Sequence, residues 1–236
     1  MARHGQQQFS GNPSSAIGQR FAGAHARHDD AELNEEERDT ETTATTWDDA
    51  ELRKEDSETV LSASRAAAKG GFTALSAMPN TSPVADTAGV VEQVLRLGVE
   101  AGLCDVFPIG AVTKNLQGSE LSEIGAMADS AAAVRIFSDD GHCVSNPAVM
   151  RRALEYVKKF DGVIAQHAQD PDLTVNAQMN EGVVSSVLGL KGWPAVAEEA
   201  IIARDVLLTE HVQSRLHVCH VTTAGGVEII RWAKAR

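Results

Sequence analysis

From residue 72 onward, short continuous apolar runs alternate with longer stretches in which apolar residues recur every three or four positions. An apolar run of about four to eight residues between turn-formers reads as a buried strand, and the longer period reads as a helix with one apolar face. Strands are therefore expected at residues 72–78, 104–112, 133–139, 163–168 and 215–221. Helices are expected at 83–102, with an apolar face at Val90, Val94 and Leu97, and at 118–130, 146–162, 193–212 and 224–236. Another helix, at 56–71, precedes the first strand, with Asp56 or Ser57 as its cap and Gly70-Gly71 as its stop. Pro147 and Pro194 open two of the later helices, where a missing N–H costs nothing.

About five strand–helix units in succession imply a parallel sheet with helical crossovers. A doubly wound sheet and a TIM-type (β/α) barrel both satisfy this order. The polar residues favour the barrel. Asn80, the pair Asp139-Asp140, His167 and His220 follow the C-terminal ends of successive strands, which is where such barrels build active sites. One carboxylate and two imidazoles converging there suit a zinc site. Either Asp139 or Asp140 can supply the carboxylate, and its neighbour is free for backbone hydrogen bonds. A single histidine at a strand end is weak support for a metal, but three candidate ligands in step on neighbouring strands are stronger. Asn80, in "MPNT", is both a turn-former and a hydrogen-bonding group at the barrel mouth. His217 and Cys219 alternate away from the site, and His142 and Cys143 fall in the loop after Asp140.

The first 55 residues have a different character. They are polar, rich in small residues and aperiodic, and they lead into a charge run. Between residues 29 and 58, fourteen acids oppose three bases, which accounts for eleven of the twelve excess negative charges of the chain. Such a segment cannot bury enough apolar surface to offset its ordering entropy, so residues 1–55 are expected to be a disordered acidic extension and 56–236 the folded part. A net charge of −12 argues against nucleic-acid binding. Three widely spaced cysteines without a CxxC pair, together with the lack of a bilayer-length apolar run or a signal-peptide core, lead us to expect a reducing, cytoplasmic compartment. With 43% hydrophobic residues, the 236-residue chain can build a sizeable core.

Six stretches, "GGFTALSAMPNTSPVADT", "FSDDGHCV", "GVIAQHAQD", "QMNEG", "GWPAVAEEAIIARDVLL" and "LHVCHVTTAGG", together closely resemble the bacterial dihydroorotases of the amidohydrolase superfamily, most of all actinobacterial members. The resemblance runs from about Asp56 to Arg236. It implies a metal-dependent barrel enzyme that hydrolyses a cyclic amide, interconverting N-carbamoyl-aspartate and dihydroorotate in pyrimidine biosynthesis. It implies a pair of zinc ions that activate water and polarise the ring carbonyl. It assigns Asp140 as the carboxylate bridging the metals, His167 and His220 as ligands of the second metal, and Asn80 as a contact of the substrate carboxylate. Arg53, in a remnant Leu52-Arg53 pair, is the further substrate ligand it suggests.

Two parts of the family pattern are missing from the sequence as given. No HxH precedes Leu52-Arg53, and His25 and His28 have the wrong spacing to replace it. The family's general acid/base aspartate lies on a strand beyond Arg236. The expectation is therefore an incomplete barrel with at most a partial metal site and negligible activity of its own, as from a fragmentary or frame-disturbed sequence. Two other readings follow from the same residues: a non-catalytic partner of aspartate transcarbamoylase, and a hydantoinase- or allantoinase-type cyclic amidase. A homo-oligomer is compatible with all three.

Overall fold

In the computed structural model of the chain, residues 58–236 are described. The expected acidic extension, Arg53, His25, His28 and the capping candidates Asp56 and Ser57 lie outside them. The first helix, α1 (Val60–Lys69), starts later than expected. Its cap is Thr59, whose hydroxyl accepts from the Ser62 N–H at 3.1 Å while the Ser62 hydroxyl accepts from the Thr59 N–H at 2.9 Å. This reciprocal pair satisfies two N–H groups that the helix itself leaves free.

Strand β1 (Ala74–Ala77) pairs in parallel with β2 (Asp105–Pro108), and α2 (Ala88–Ala101) crosses between them. The buried face of α2 is Val91, Val94 and Gly98, rotated from the expected Val90–Val94–Leu97 stripe. The cause is Gly98: a Cβ placed there would stand 2.4 Å from Val106 Cβ, so only glycine lets the helix lie this close to β2. After α3 (Ile124–Asp129), strand β3 (Ile136–Phe137) continues the sheet. It joins the chain just past β2 through Gly110, whose N–H donates to Ile136 O at 3.1 Å and whose carbonyl accepts from the Ser138 N–H at 2.9 Å.

Helix α4 (Pro147–Val157) leads to β4 (Val163–Gln166), and α6 (Val196–Val212) leads to β7 (Leu216–Val218), followed by α7 (Ala224–Lys234). Strands β3, β4 and β7 pair in parallel in that order. The lateral order β1, β2, β3, β4, β7 thus follows the chain with a helix after each strand. A doubly wound sheet would reverse direction from its first strand, whereas an unbroken progression is the arrangement of a (β/α) barrel wall.

One excursion was not legible in the sequence. Between β4 and α6, the two-residue strands β5 (Met179–Asn180) and β6 (Gly192–Trp193) pair in parallel around the short helix α5 (Val183–Leu188). Two residues carry no readable period, and α5 leaves Val183 and Val187 in solvent, so no apolar face announces it. Among the described residues, no helix is long and apolar enough to cross a membrane.

The main core lies between the sheet and its helices, around Phe137, Ile124, Met127, Met150, Leu154 and Ile164. Helix α4 buries Met150, Ala153, Leu154 and Val157, a stripe at helical spacing that meets β3 and β4. Among the described residues Phe137 is the largest fully buried side chain, and it packs where β3 meets Gly110. Phe137→Ala is expected to cost about 3–5 kcal/mol through lost burial and an unfilled cavity, read as a lowered urea midpoint. A loss under about 1 kcal/mol would mean that this wall can collapse around the gap.

Candidate metal centre

The two adjacent acids after β3 separate completely. Successive residues of an extended chain point to opposite faces. Asp139 turns inward and is 1% exposed. Its Oδ1 accepts from the backbone N–H groups of Val112 and Thr113, at 2.8 and 3.0 Å, and its Oδ2 accepts from the Thr113 hydroxyl. Burial pushes its carboxyl above the usual range, while the bonds from Thr113 and Val112 oppose that rise. Asp139 is thus a buckle that fixes the end of β3 to the loop after β2. Asp140 is left to face the barrel mouth.

Three side chains meet there. Asp140, His167 and His220 each offer one ligand atom, and these atoms lie within 4.8 Å of one another. Asp140 Oδ1 stands 3.8 Å from His167 Nδ1 and 3.7 Å from His220 Nε2, and the two rings sit edge to face with centroids 4.5 Å apart. Asn80 joins them: its Nδ2 donates to Asp140 Oδ2 at 3.4 Å. The fold thus brings together the four residues singled out in the sequence, from the ends of four strands, β1, β3, β4 and β7.

The orientation of His167 follows from a chain of hydrogen bonds. The Thr174 hydroxyl donates to Asp170 O at 2.8 Å, so its oxygen accepts from Gln169 Nε2 at 3.0 Å. That fixes the amide, and Gln169 Oε1 faces His167 Nε2 at 2.8 Å. A carbonyl oxygen only accepts, so Nε2 carries a proton, which in the neutral ring leaves the lone pair on Nδ1. This Nδ1 is buried and has no hydrogen-bond partner.

An orphaned buried nitrogen aimed at a carboxylate oxygen too distant to bond it needs an explanation. A cation provides one. Ligands held tetrahedrally at about 2.0–2.1 Å stand roughly 3.4 Å apart, so the two gaps need to close only slightly. The donor set of two imidazoles and one carboxylate also suits a borderline divalent ion. The nearby thiols are poor rivals. Neither Cys143 nor Cys219 belongs to the converging group of ligand atoms, and burial raises both thiols, Cys143 to about 11.

Sequence reasoning missed the groups behind the ligands. Glu198, on α6, is nearly buried and accepts from the N–H and hydroxyl groups of both Thr222 and Thr223, just past His220. Burial alone would raise its carboxyl, but the donors from Thr222 and Thr223 outweigh it and hold Glu198 below its ordinary value. The available signal was positional: Glu198 and Asp205 interrupt the stripe Ala197–Ile201–Ile202 that α6 buries. Carboxylates in an apolar stripe are buried only when they have partners.

A family model described as dihydro-orotase-like matches residues 46–225. The chain belongs to that family. It is 74% identical over 179 residues to a dihydroorotase of Leifsonia xyli subsp. xyli and 70% identical over 179 residues to one of Streptomyces coelicolor. A Mycobacterium tuberculosis dihydroorotase is 53% identical over 177 residues. These alignments cover 75–76% of this chain but only 41–42% of each relative, so the chain spans well under half their length. Among solved structures, an L-hydantoinase from Arthrobacter aurescens aligns with a TM-score of 0.54 at 22% identity, covering 73% of this chain and 39% of that one. A dihydropyrimidinase from Brevibacillus agri aligns at 0.53 and 15%, covering 76% and 40%. Both likenesses support a (β/α) barrel fold, which the strand order of this dihydro-orotase-like chain displays in part.

Two outcomes follow. In the metal-free protein at mildly alkaline pH, long-range 1H–15N spectra are expected to show His167 as the Nε2–H tautomer, and Gln169→Leu is expected to mix the tautomers. An unchanged spectrum would remove Gln169 from this role. For Glu198, the folded pKa lies below the unfolded value of about 4.5, so its stabilisation is present above that pH and fades as pH falls through the folded value. Urea midpoints of parent and Glu198→Gln are therefore expected to differ most near neutral pH and to converge on acidification. A gap that widens in acid would contradict the assignment.

Proposed function

We propose that Asp140, His167 and His220 hold a divalent metal, zinc, in the centre of a dihydroorotase-type hydrolase that acts on a cyclic amide. The observation that carries this reading is the convergence of one carboxylate oxygen, His167 Nδ1 and His220 Nε2 within 4.8 Å at the strand ends. Similarity to the dihydroorotases supports the ring substrate, dihydroorotate, and its ring-opened partner N-carbamoyl-aspartate. By the family resemblance, Asp140 would be a metal-holding carboxylate and Asn80 would face the substrate carboxylate.

When bound, the metal would act as a Lewis acid, polarising the ring carbonyl and lowering the pKa of water. The residues of this chain do the rest of the positioning. His167 keeps its Nδ1 lone pair directed at the site because Gln169 engages the opposite ring nitrogen. Asn80 holds one oxygen of Asp140, which leaves the other toward the two imidazoles. Asp139 keeps the strand end in place, which holds the backbone that carries Asp140.

Two measurements test the proposal. The purified chain is expected to bind zinc in a competition titration, and His167→Ala or His220→Ala should abolish it; unchanged zinc content in both variants would remove the site. The substrate is tested by a chimera in which residues 58–236 replace the matching stretch of the Leifsonia xyli relative. The chimera is expected to turn over dihydroorotate and to lose that activity with His167→Ala. A folded chimera that hydrolyses hydantoin and leaves dihydroorotate untouched would redirect the assignment to a hydantoinase-type amidase.

A further inference from the structure

We infer that helix α6 is the positioning element of the metal centre: its buried carboxylates Glu198 and Asp205 set the two loops that present the ligands. This rests on the metal reading above and adds residues that touch neither metal nor substrate. The two acids are seven residues apart, two helical turns, and so share one face.

Each reaches a different arm of the site. Glu198 Oε1 accepts from Thr223 N at 3.0 Å and from the Thr223 hydroxyl at 2.7 Å. Its Oε2 accepts from Thr222 N at 3.0 Å and from the Thr222 hydroxyl at 2.6 Å. These donors begin two residues after His220, whose backbone is held at φ 32°, in the left-handed region that a side chain rarely adopts. A local strain of this kind persists only where the surroundings over-determine it. The Glu198 clamp supplies that determination on the C-terminal side. Gly226 makes room for it, since a Cβ there would lie 2.9 Å from Glu198 Oε1.

Asp205 serves the other arm. Its Oδ2 accepts from Gln166 Nε2 at 2.8 Å, and Gln166 immediately precedes His167. Gln166 Oε1 accepts in turn from Val144 N at 3.3 Å, in the loop that follows Asp140. The neighbouring Arg204 pairs with Asp205 at 2.6 Å and donates to the carbonyls of Val144 and Ser145. One helix therefore holds the Asp140 loop, the residue beside His167 and the loop after His220. For stability alone, apolar side chains would fill a helix–sheet interface as well as buried carboxylates do. These carboxylates instead engage the segments adjoining the ligands, which is how outer groups orient metal-binding side chains.

The test compares zinc affinity and histidine side-chain 15N spectra in the parent, Glu198→Gln, Asp205→Asn and the control Glu199→Gln. Glu198→Gln is expected to weaken zinc binding by about 10–100-fold and to shift the His220 signals while leaving the His167 tautomer unchanged. Asp205→Asn should weaken binding similarly but disturb His167 instead, and Glu199→Gln should match the parent. If Glu198→Gln fails to fold, Thr222→Val, which removes only the hydroxyl donor, is expected to show the same His220-selective loss. Parent-like affinity and spectra in both acid variants, or equal disturbance of both histidines by either one, would overturn the positioning role. A parent that binds no zinc would overturn the metal reading itself, and this inference with it.

Discussion

Parallel pairing of β3, β4 and β7 in a fixed register is the constraint on which the candidate site depends. Phe137 lies opposite Ile164, and Ile164 lies opposite Leu216. Asp140 is three residues past Phe137, His167 three past Ile164, and His220 four past Leu216. The first two ligands therefore leave the sheet at the same level. The third has one residue more, and the left-handed turn at His220 takes it up. Slipping any strand by one residue would turn its ligand to the opposite face. The buried core of Phe137, Ile164, Met150 and Leu154 is what makes such a slip costly.

Buried polar groups then refine what the register sets coarsely. Three acids that sit almost entirely out of water, Asp139, Glu198 and Asp205, each meet backbone or side-chain donors from a loop or strand end at the site. Burying a carboxylate is expensive unless its oxygens are fully engaged. The expense here goes into fixing loops, which would otherwise be the most mobile parts of a barrel. The doublet Asp139-Asp140 shows the division of labour in two adjacent residues, one bonded inward to the frame and one turned outward toward two imidazoles.

Much of this was legible in the sequence, for identifiable reasons. Apolar runs ending in Asn80, Asp140, His167 and His220 announced both the strands and the edge at which their polar residues gather. What stayed hidden depended on tertiary contacts. Without the family resemblance, the choice between Asp139 and Asp140 needed the positions of Val112 and Thr113, which lie 27 and 26 residues away along the chain. The face of α2 was displaced because Gly98 presses on Val106, a contact that no periodicity encodes. The partners of Glu198 and Asp205, namely Thr222, Thr223 and Gln166, likewise come from distant parts of the chain. The short pair β5–β6 had no pattern to read.

Zinc K-edge absorption on the purified chain with one equivalent of zinc would test the central claim most directly. The account predicts a first shell of light atoms, with the outer scattering of two imidazoles and no sulfur. A sulfur shell from Cys143 or Cys219, or an all-oxygen shell without imidazole scattering, would contradict it.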